Sequence, residues 1–218
     1  PMISLVISNL KPECEHKFIF ICQQDHVLKY DLRKKLNKWA DSPIIIEIDG
    51  ITQGAACTVL KAKEYINNQD ELMIANSDQY IDININSYLN KMSNNHLEGL
   101  IMTMKAYDDK WSFVELNREK LVEKVVEKEV ISDEATVGIY NFRNGSSFVS
   151  AAEEMIEKKL TVNGEYYVAP VYNILIENGA RIGINNIGGI DEGMYGLGTP
   201  KDLDCFLKLP ISKRLFNS

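Results

Sequence analysis

A short polar tetrad, Asn76-Ser77-Asp78-Gln79, directly follows the apolar run Glu71 to Ala75. A carboxylate placed just after a buried strand lies at the edge of a sheet, where it can hold a hard cation. Mg²⁺ is bound by one or two carboxylates together with substrate phosphates, so a lone Asp78 is chemically sufficient to recruit it. The competing reading of Asp78 is a residue that caps the turn after the strand. A second candidate is Gln53-Gly54-Ala55-Ala56-Cys57-Thr58. Small residues at a strand-to-helix junction let a ligand approach the backbone, and the start of a helix offers N–H groups to an anion or a base edge. The same residues also suit a tight turn and close helix packing. Glu127-Lys128 ends another strand, where the Lys can neutralise a phosphate as a point charge or simply sit in water beside its acidic neighbour. Glu165, ahead of Tyr166 and Tyr167, can accept hydrogen bonds from sugar hydroxyls, or act as an acid near a helix start. Gly196-Leu197-Gly198-Thr199-Pro200 reads either as a ligand loop or as a helix entry.

Other reactive residues are less informative. His16, His26 and His96 lie in polar surroundings with no Ser or Cys partner legible in the sequence, so no hydrolytic triad emerges. The cysteines Cys14, Cys22, Cys57 and Cys205 are scattered, without a CxxC pair or a His at metal-ligand spacing. They read as free thiols in a reducing, cytoplasmic setting.

The elements that must carry these residues alternate through the first half of the chain. Pro1 to Leu10 has apolar residues at helical spacing. Lys17 to Cys22 and Pro43 to Ile48 are continuous apolar runs of the kind found in buried strands. Between them, Asp25 is expected to cap one helix whose Leu28, Leu32, Leu36 and Trp39 form a stripe. Gly54 to Asn67 reads as a further helix, and Glu71 to Ala75 as the third strand. This order predicts an α/β fold, with a mostly parallel, Rossmann-like sheet flanked by helices on both faces and ligands at the carboxyl ends of its strands. The second half predicts strands at Gly99–Ala106, Ser112–Leu116, Leu121–Lys128 and Thr136–Phe142, added in mixed or antiparallel fashion. Helices are expected at Ser147–Lys159 and around Val168–Asn178, then a glycine-rich loop over Gly188–Thr199 and a last helix starting at Pro200. No internal repeat or linker breaks residues 1–218, which read as a single domain.

With 218 residues, 45% hydrophobic and 25% charged, the chain can bury a sizeable core. A net charge of -7 lacks the basic footprint of a nucleic-acid binder. No run is long enough in apolar residues for a membrane-spanning helix, and the opening residues do not read as a signal peptide.

Taken in order, the segments resemble the sugar-phosphate nucleotidyltransferases, the NDP-sugar pyrophosphorylases of GT-A-like fold, and among them those of capsule and surface-polysaccharide synthesis. Pro1-Met2-Ile3 is similar to the end of that family's "GKPMI" segment, and Gln53-Gly54-Ala55-Ala56 to its base-contacting turn. Asn76-Ser77-Asp78 is similar to its metal-binding strand end, and Val126-Glu127-Lys128 to its "VEK". Val137-Gly138-Ile139-Tyr140 resembles its "AGIY" strand, and Gly198-Thr199-Pro200 with Asp202-Leu203 its "GTPEDL".

The resemblance implies that Asp78 holds Mg²⁺ and that Lys128 faces the phosphate of a sugar 1-phosphate. It places Gln53, Gly54, Ala55, Ala56 and Ser77 at the NTP, and Gly138, Glu165 and Glu127 around the sugar. It departs from the family in two places. The family's glycine-rich loop and first strand belong before Pro1, which leaves a sheet neighbour unpaired and is compatible with a homo-oligomer. An Asp is expected near Gly196 as a further metal ligand, with Asp191 as the nearest substitute. A GT-A glycosyltransferase, which usually carries a DxD pair, is the alternative enzyme; a non-catalytic nucleotide or sugar-phosphate binding module is the alternative outside enzymes.

Overall fold

The computed structural model describes residues 1–216. Helix α1 (Met2–Leu10) buries Val6, Ile7 and Leu10, the residues its helical spacing selects. Strands β1 (Ile19–Gln23) and β2 (Ile44–Ile48) pair in parallel, Ile19 opposite Ile44 through Gln23 opposite Ile48. The crossover between them is two helices, α2 (Gln24–Tyr30) and α3 (Leu32–Trp39), where one was expected. The break is Asp31, whose left-handed backbone (φ 51°) cannot continue a right-handed helix. It also turns Leu28 off the stripe, leaving it 74% exposed while Leu36 is buried. The Gly54–Asn67 segment is likewise divided, into α4 (Ala55–Val59), a 3₁₀ turn (Leu60–Ala62) and α5 (Lys63–Ile66).

Strand β3 (Leu72–Ala75) opens the larger sheet by pairing antiparallel to β8 (Glu134–Phe142). The other members are β4 (Gln79–Ile81), β5 (Gly99–Lys105), β6 (Ser112–Leu116), β7 (Val122–Glu127), β9 (Ile182–Ile190) and β10 (Gly193–Gly196), in the order β4-β10-β9-β5-β8-β6-β7. Ladders β5–β9 and β9–β10 are parallel; the others in this sheet are antiparallel. Part of the expected glycine-rich loop is therefore strand, because Gly193–Gly196 finds an edge to pair with in β4, more than a hundred residues earlier.

Helices cover both faces. On one, α1, α6 (Ile85–Asn94) and α9 (Pro200–Lys208) close over Met102, Met104, Phe113, Val137 and Ile139. On the other, α7 (Gly145–Glu157) and α8 (Val171–Glu177) close over Ile101, Val114, Tyr140 and Phe142. A last helix, α10 (Pro210–Phe216), follows α9. Residues of β5 are buried on both faces, which explains its nearly continuous apolar sequence, broken by Thr103, whose hydroxyl donates to Glu134. The β1–β2 pair differs. All ten of its residues are only half-buried, and among the described residues no ladder joins it to β3. Ile19, Ile21 and Ile46 nonetheless pack on the same cluster as Leu72 and Ile74. No helix among the described residues is long and apolar enough to cross a membrane.

Candidate active site

The carboxyl end of β3 runs straight into Asn76-Ser77-Asp78, and two other segments fix its course. One is a bulge in β8. Ile101 faces Tyr140, but Thr103 faces Thr136, so two extra residues of β8 are accommodated around Gly138. Gly138 has φ +74°, and the space a side chain would need there is filled by the Asn76 amide, so only glycine fits. The Gly138 carbonyl accepts the Asn76 N–H at 2.9 Å, and the neighbouring Val137 carbonyl accepts the Gln79 side-chain amide. The other segment follows β10. Leu197 N–H donates to the Asp78 carbonyl at 2.7 Å, and a Cβ on Gly198 would stand 2.6 Å from Asp78 Oδ2. The Asp78 carboxylate itself is exposed, and among the described residues it takes part in no hydrogen bond or ion pair. A free carboxylate with a glycine cleared beside it fits a hard divalent cation held by one protein ligand, phosphate oxygens and water.

Further protein ligands are not assembled around it. No group of three His, Cys, Asp or Glu side chains among the described residues could hold a metal. Asp191 occupies the turn between β9 and β10. The carboxylate nearest Gly196 is Asp202, whose Cγ would be 3.7 Å from a Cβ at that position. It is engaged as the capping box of α9, accepting the Thr199 N–H and hydroxyl at 3.2 and 2.7 Å. The Gly198-Thr199-Pro200 segment is thus a helix entry that also makes room for Asp78.

The Gln53–Gly54 turn is tied to a distant part of the chain. Tyr166 N–H donates to the Gln53 carbonyl at 2.8 Å, and the Tyr166 carbonyl accepts the Ala56 N–H at 3.0 Å. Gly54, at φ +121°, passes so close that a Cβ would lie 2.5 Å from the Tyr166 oxygen. Gln53 and Ala55 are exposed at this corner, whereas Ala56 is fully buried. Within this turn the Ala56 methyl packs in the core and its N–H is spent on the Tyr166 carbonyl.

Glu127 and Lys128 leave β7 in opposite environments. Glu127 is buried and accepts a hydrogen bond from the Ser112 hydroxyl. Burial pushes its carboxyl above the ordinary range, opposed by the Ser112 hydroxyl and Lys128 and reinforced by Glu165. Behind it Tyr140 and Thr136 share a 2.9 Å hydrogen bond, and burial raises the Tyr140 phenol to about 12. Lys128 is exposed, with its backbone in the left-handed region (φ 58°) and its N–H on the Trp111 carbonyl at 3.0 Å. Its ammonium donates to the Tyr167 hydroxyl at 2.7 Å, which is the main cause of its raised pKa. Glu165 lies close enough to act on both residues. Shallow surface depressions along α7, lined by Ser150, Glu153 and Glu154, hold none of these groups.

Residues 1–168 match the model of a family described as nucleotidyl transferase. The chain belongs to that family. Solved structures agree on its fold. A nucleoside-diphosphate-sugar pyrophosphorylase from Vibrio cholerae RC9 superposes with a TM-score of 0.77 at 23% identity, covering 95% of this chain and 85% of that one. A Bacillus anthracis protein described as a glucose-1-phosphate thymidylyltransferase gives 0.69 at 17%, covering 94% and 80%. The inositol-1-phosphate CTP transferase of T. maritima gives 0.68 at 15%, covering 92% and 78%. A search of curated proteins finds no match. As a nucleotidyltransferase the chain is an enzyme of nucleotidyl transfer, which favours that reaction over glycosyl transfer.

The structure brings together Asp78, Ser77 and Gly138 at one point and Glu127, Lys128 and Glu165 at another. The Tyr166 backbone connects Gln53 and Gly54 to the second group. Sequence reasoning missed the roles of Asn76 and Gly198 beside Asp78, and that of Tyr167. Each acts through a partner more than thirty residues away, which local pattern does not reveal.

Proposed function

We propose that the protein joins an NTP to a sugar 1-phosphate, giving a nucleoside-diphosphate sugar and pyrophosphate, in the cytoplasm and for surface-polysaccharide synthesis. A phosphate oxygen of the sugar 1-phosphate attacks the α-phosphorus of the NTP. One P–O bond forms, the bond from the α-phosphorus to the α–β bridging oxygen breaks, and pyrophosphate departs with that oxygen and the electron pair. Such a transfer asks the protein chiefly to align two anions and offset their charge. Mg²⁺, when bound at Asp78, supplies neutralisation of the triphosphate. Gln53, Gly54 and Ala55 seat the base, with Ser77 near the phosphates. Lys128 offsets the charge of the attacking phosphate. Glu127, Glu165 and the bulge at Gly138 bound the sugar, whose hydroxyls the two carboxylates accept.

The observation that carries this reading is the pairing of a free carboxylate at the end of β3 with a lysine flanked by two carboxylates at the end of β7. The first suits a metal–triphosphate and the second a phosphorylated polyol. The names of the structural neighbours, which include sugar-phosphate and inositol-phosphate transferases, are in keeping with it. The test is pyrophosphate release with each NTP, Mg²⁺ and a panel of sugar 1-phosphates. Release that needs both substrates supports the reading, and Asp78→Asn should lower it at least about 100-fold without shifting Tm, since that side chain is exposed and unbonded. Release independent of any sugar phosphate, or an unaffected Asp78→Asn, would remove the reaction or the residue from the proposal.

A further inference from the structure

We propose that Lys128 and Tyr167 form a two-donor clamp for one phosphate, so that Tyr167 is an anion-binding residue in its own right. The inference rests on the acceptor-side reading of Lys128 given above, and extends it to a residue that neither motif spacing nor family membership assigns.

The argument begins with proton bookkeeping. In the 2.7 Å contact the Lys128 ammonium is the donor and the Tyr167 oxygen the acceptor. The ammonium retains two further N–H groups, and the phenol retains its own O–H. Among the described residues the phenol makes no other hydrogen bond. Two unspent donors therefore stand side by side, on an exposed lysine and a half-buried tyrosine, close enough to reach neighbouring oxygens of a single phosphate. The ammonium lies 4.9 Å from the Tyr167 ring centroid, at the hydroxyl end of the ring.

Both partners are held by their backbones. Lys128 adopts a left-handed conformation that the Trp111 carbonyl secures through its N–H. Tyr167 sits between Tyr166, whose N–H and carbonyl are both bonded to the Gln53 turn, and the buried Val168. A lysine alone would have to lose its rotamer freedom on binding phosphate. Here that ordering is already done by the tyrosine, which is the usual route by which preorganisation gains affinity. The nearby carboxylates Glu127 and Glu165 repel an anion, so a phosphate entering between them needs both donors, whereas sugar hydroxyls do not.

Two measurements test this. In turnover, Tyr167→Phe keeps the ring and removes only the hydroxyl. The acceptor KM should rise about tenfold, the value of one hydrogen bond to a charged group, while kcat and the KM for NTP change less than about threefold. The double variant Lys128→Ala with Tyr167→Phe should bind the acceptor more weakly than Lys128→Ala alone, because the phenol O–H still donates to the phosphate when the lysine is gone. A Tyr167→Phe enzyme with the wild-type acceptor KM overturns the clamp. If Lys128→Ala still raises that KM, the proposed function survives and only this inference fails.

The second measurement needs no turnover. Inorganic phosphate titrated into ¹⁵N-labelled protein should shift the Lys128 and Tyr167 amides, and Tyr167→Phe should weaken that binding about tenfold. Phosphate that leaves both amides unmoved, or binds Tyr167→Phe as well as wild type, sinks the proposal whatever the activity assay gives.

Discussion

The two sides of the site are built on different terms. On the proposed acceptor side, Glu127, Ser112, Tyr140 and Thr136 are buried polar groups joined by hydrogen bonds, on strands whose neighbours are paired and covered by α7 and α8. On the proposed nucleotide side, the Gln53 turn follows a two-stranded sheet with every residue half-exposed and, among the described residues, no ladder to β3. Polar groups taken out of water are costly unless bonded, so the acceptor side has few alternative arrangements. The β1–β2 side relies on apolar contacts to a shared cluster and on the two backbone bonds at Tyr166.

The largest expected effect comes from breaking the Tyr166 connection. Gly54→Val places a side chain into the Tyr166 carbonyl at a φ that only glycine adopts freely. It should cost about 3 kcal/mol or more in denaturant unfolding and weaken NTP binding more than acceptor binding. Equal loss of both would mean that the two sides are not distinct. Hydrogen exchange comes next: ladder amides of β1 and β2 should exchange at least about tenfold faster than those of β5 and β9. Comparable protection would show the two sheets to be one cooperative unit.

A smaller effect probes the interior near the acceptor side. The Asn141 side chain is fully buried between Met73 and Leu100 of the flanking strands, with its amide groups unpartnered among the described residues. Asn141→Leu should stabilise the fold by about 1 kcal/mol, read as a raised Tm. A loss instead would reveal that this amide supports the β8 bulge. The smallest effect is the pH dependence of Glu127. Its native pKa is raised by burial, so the native state favours the protonated form. The group therefore supports stability below the ordinary carboxylate value of 4.5 and costs stability as pH rises through and above it. Wild type should lose a degree or two of Tm relative to Glu127→Gln over that rise. A constant difference would mean that the carboxylate is better solvated than its burial indicates.

The sequence was most readable where a single element carries the signal. Apolar runs located β1, β2, β3 and β5 to within one or two residues, and the polar tetrad after β3 marked Asp78. It was least readable where a partner far along the chain decides. Asp31 does not announce that it will break a helix. Gly193–Gly196 becomes strand because β4 and β9 lie alongside, and the glycines there hide it. Gly198 reads as a helix entry, and only the fold shows that it stands beside Asp78. Tyr167 was visible as a residue but not as the partner of a lysine 39 positions earlier, since neither side chain carries a local pattern that pairs them.

The Tyr166 backbone bridge has one more consequence. One face of that peptide segment meets the turn assigned to the base, and the next residue along meets Lys128. On the proposed function, a nucleotide that shifts the turn also shifts the clamp, and an acceptor that shifts the clamp shifts the turn. The two substrates are then thermodynamically linked, each raising the other's affinity by the same factor. Binding of either substrate would then be read in the apparent Kd of the other.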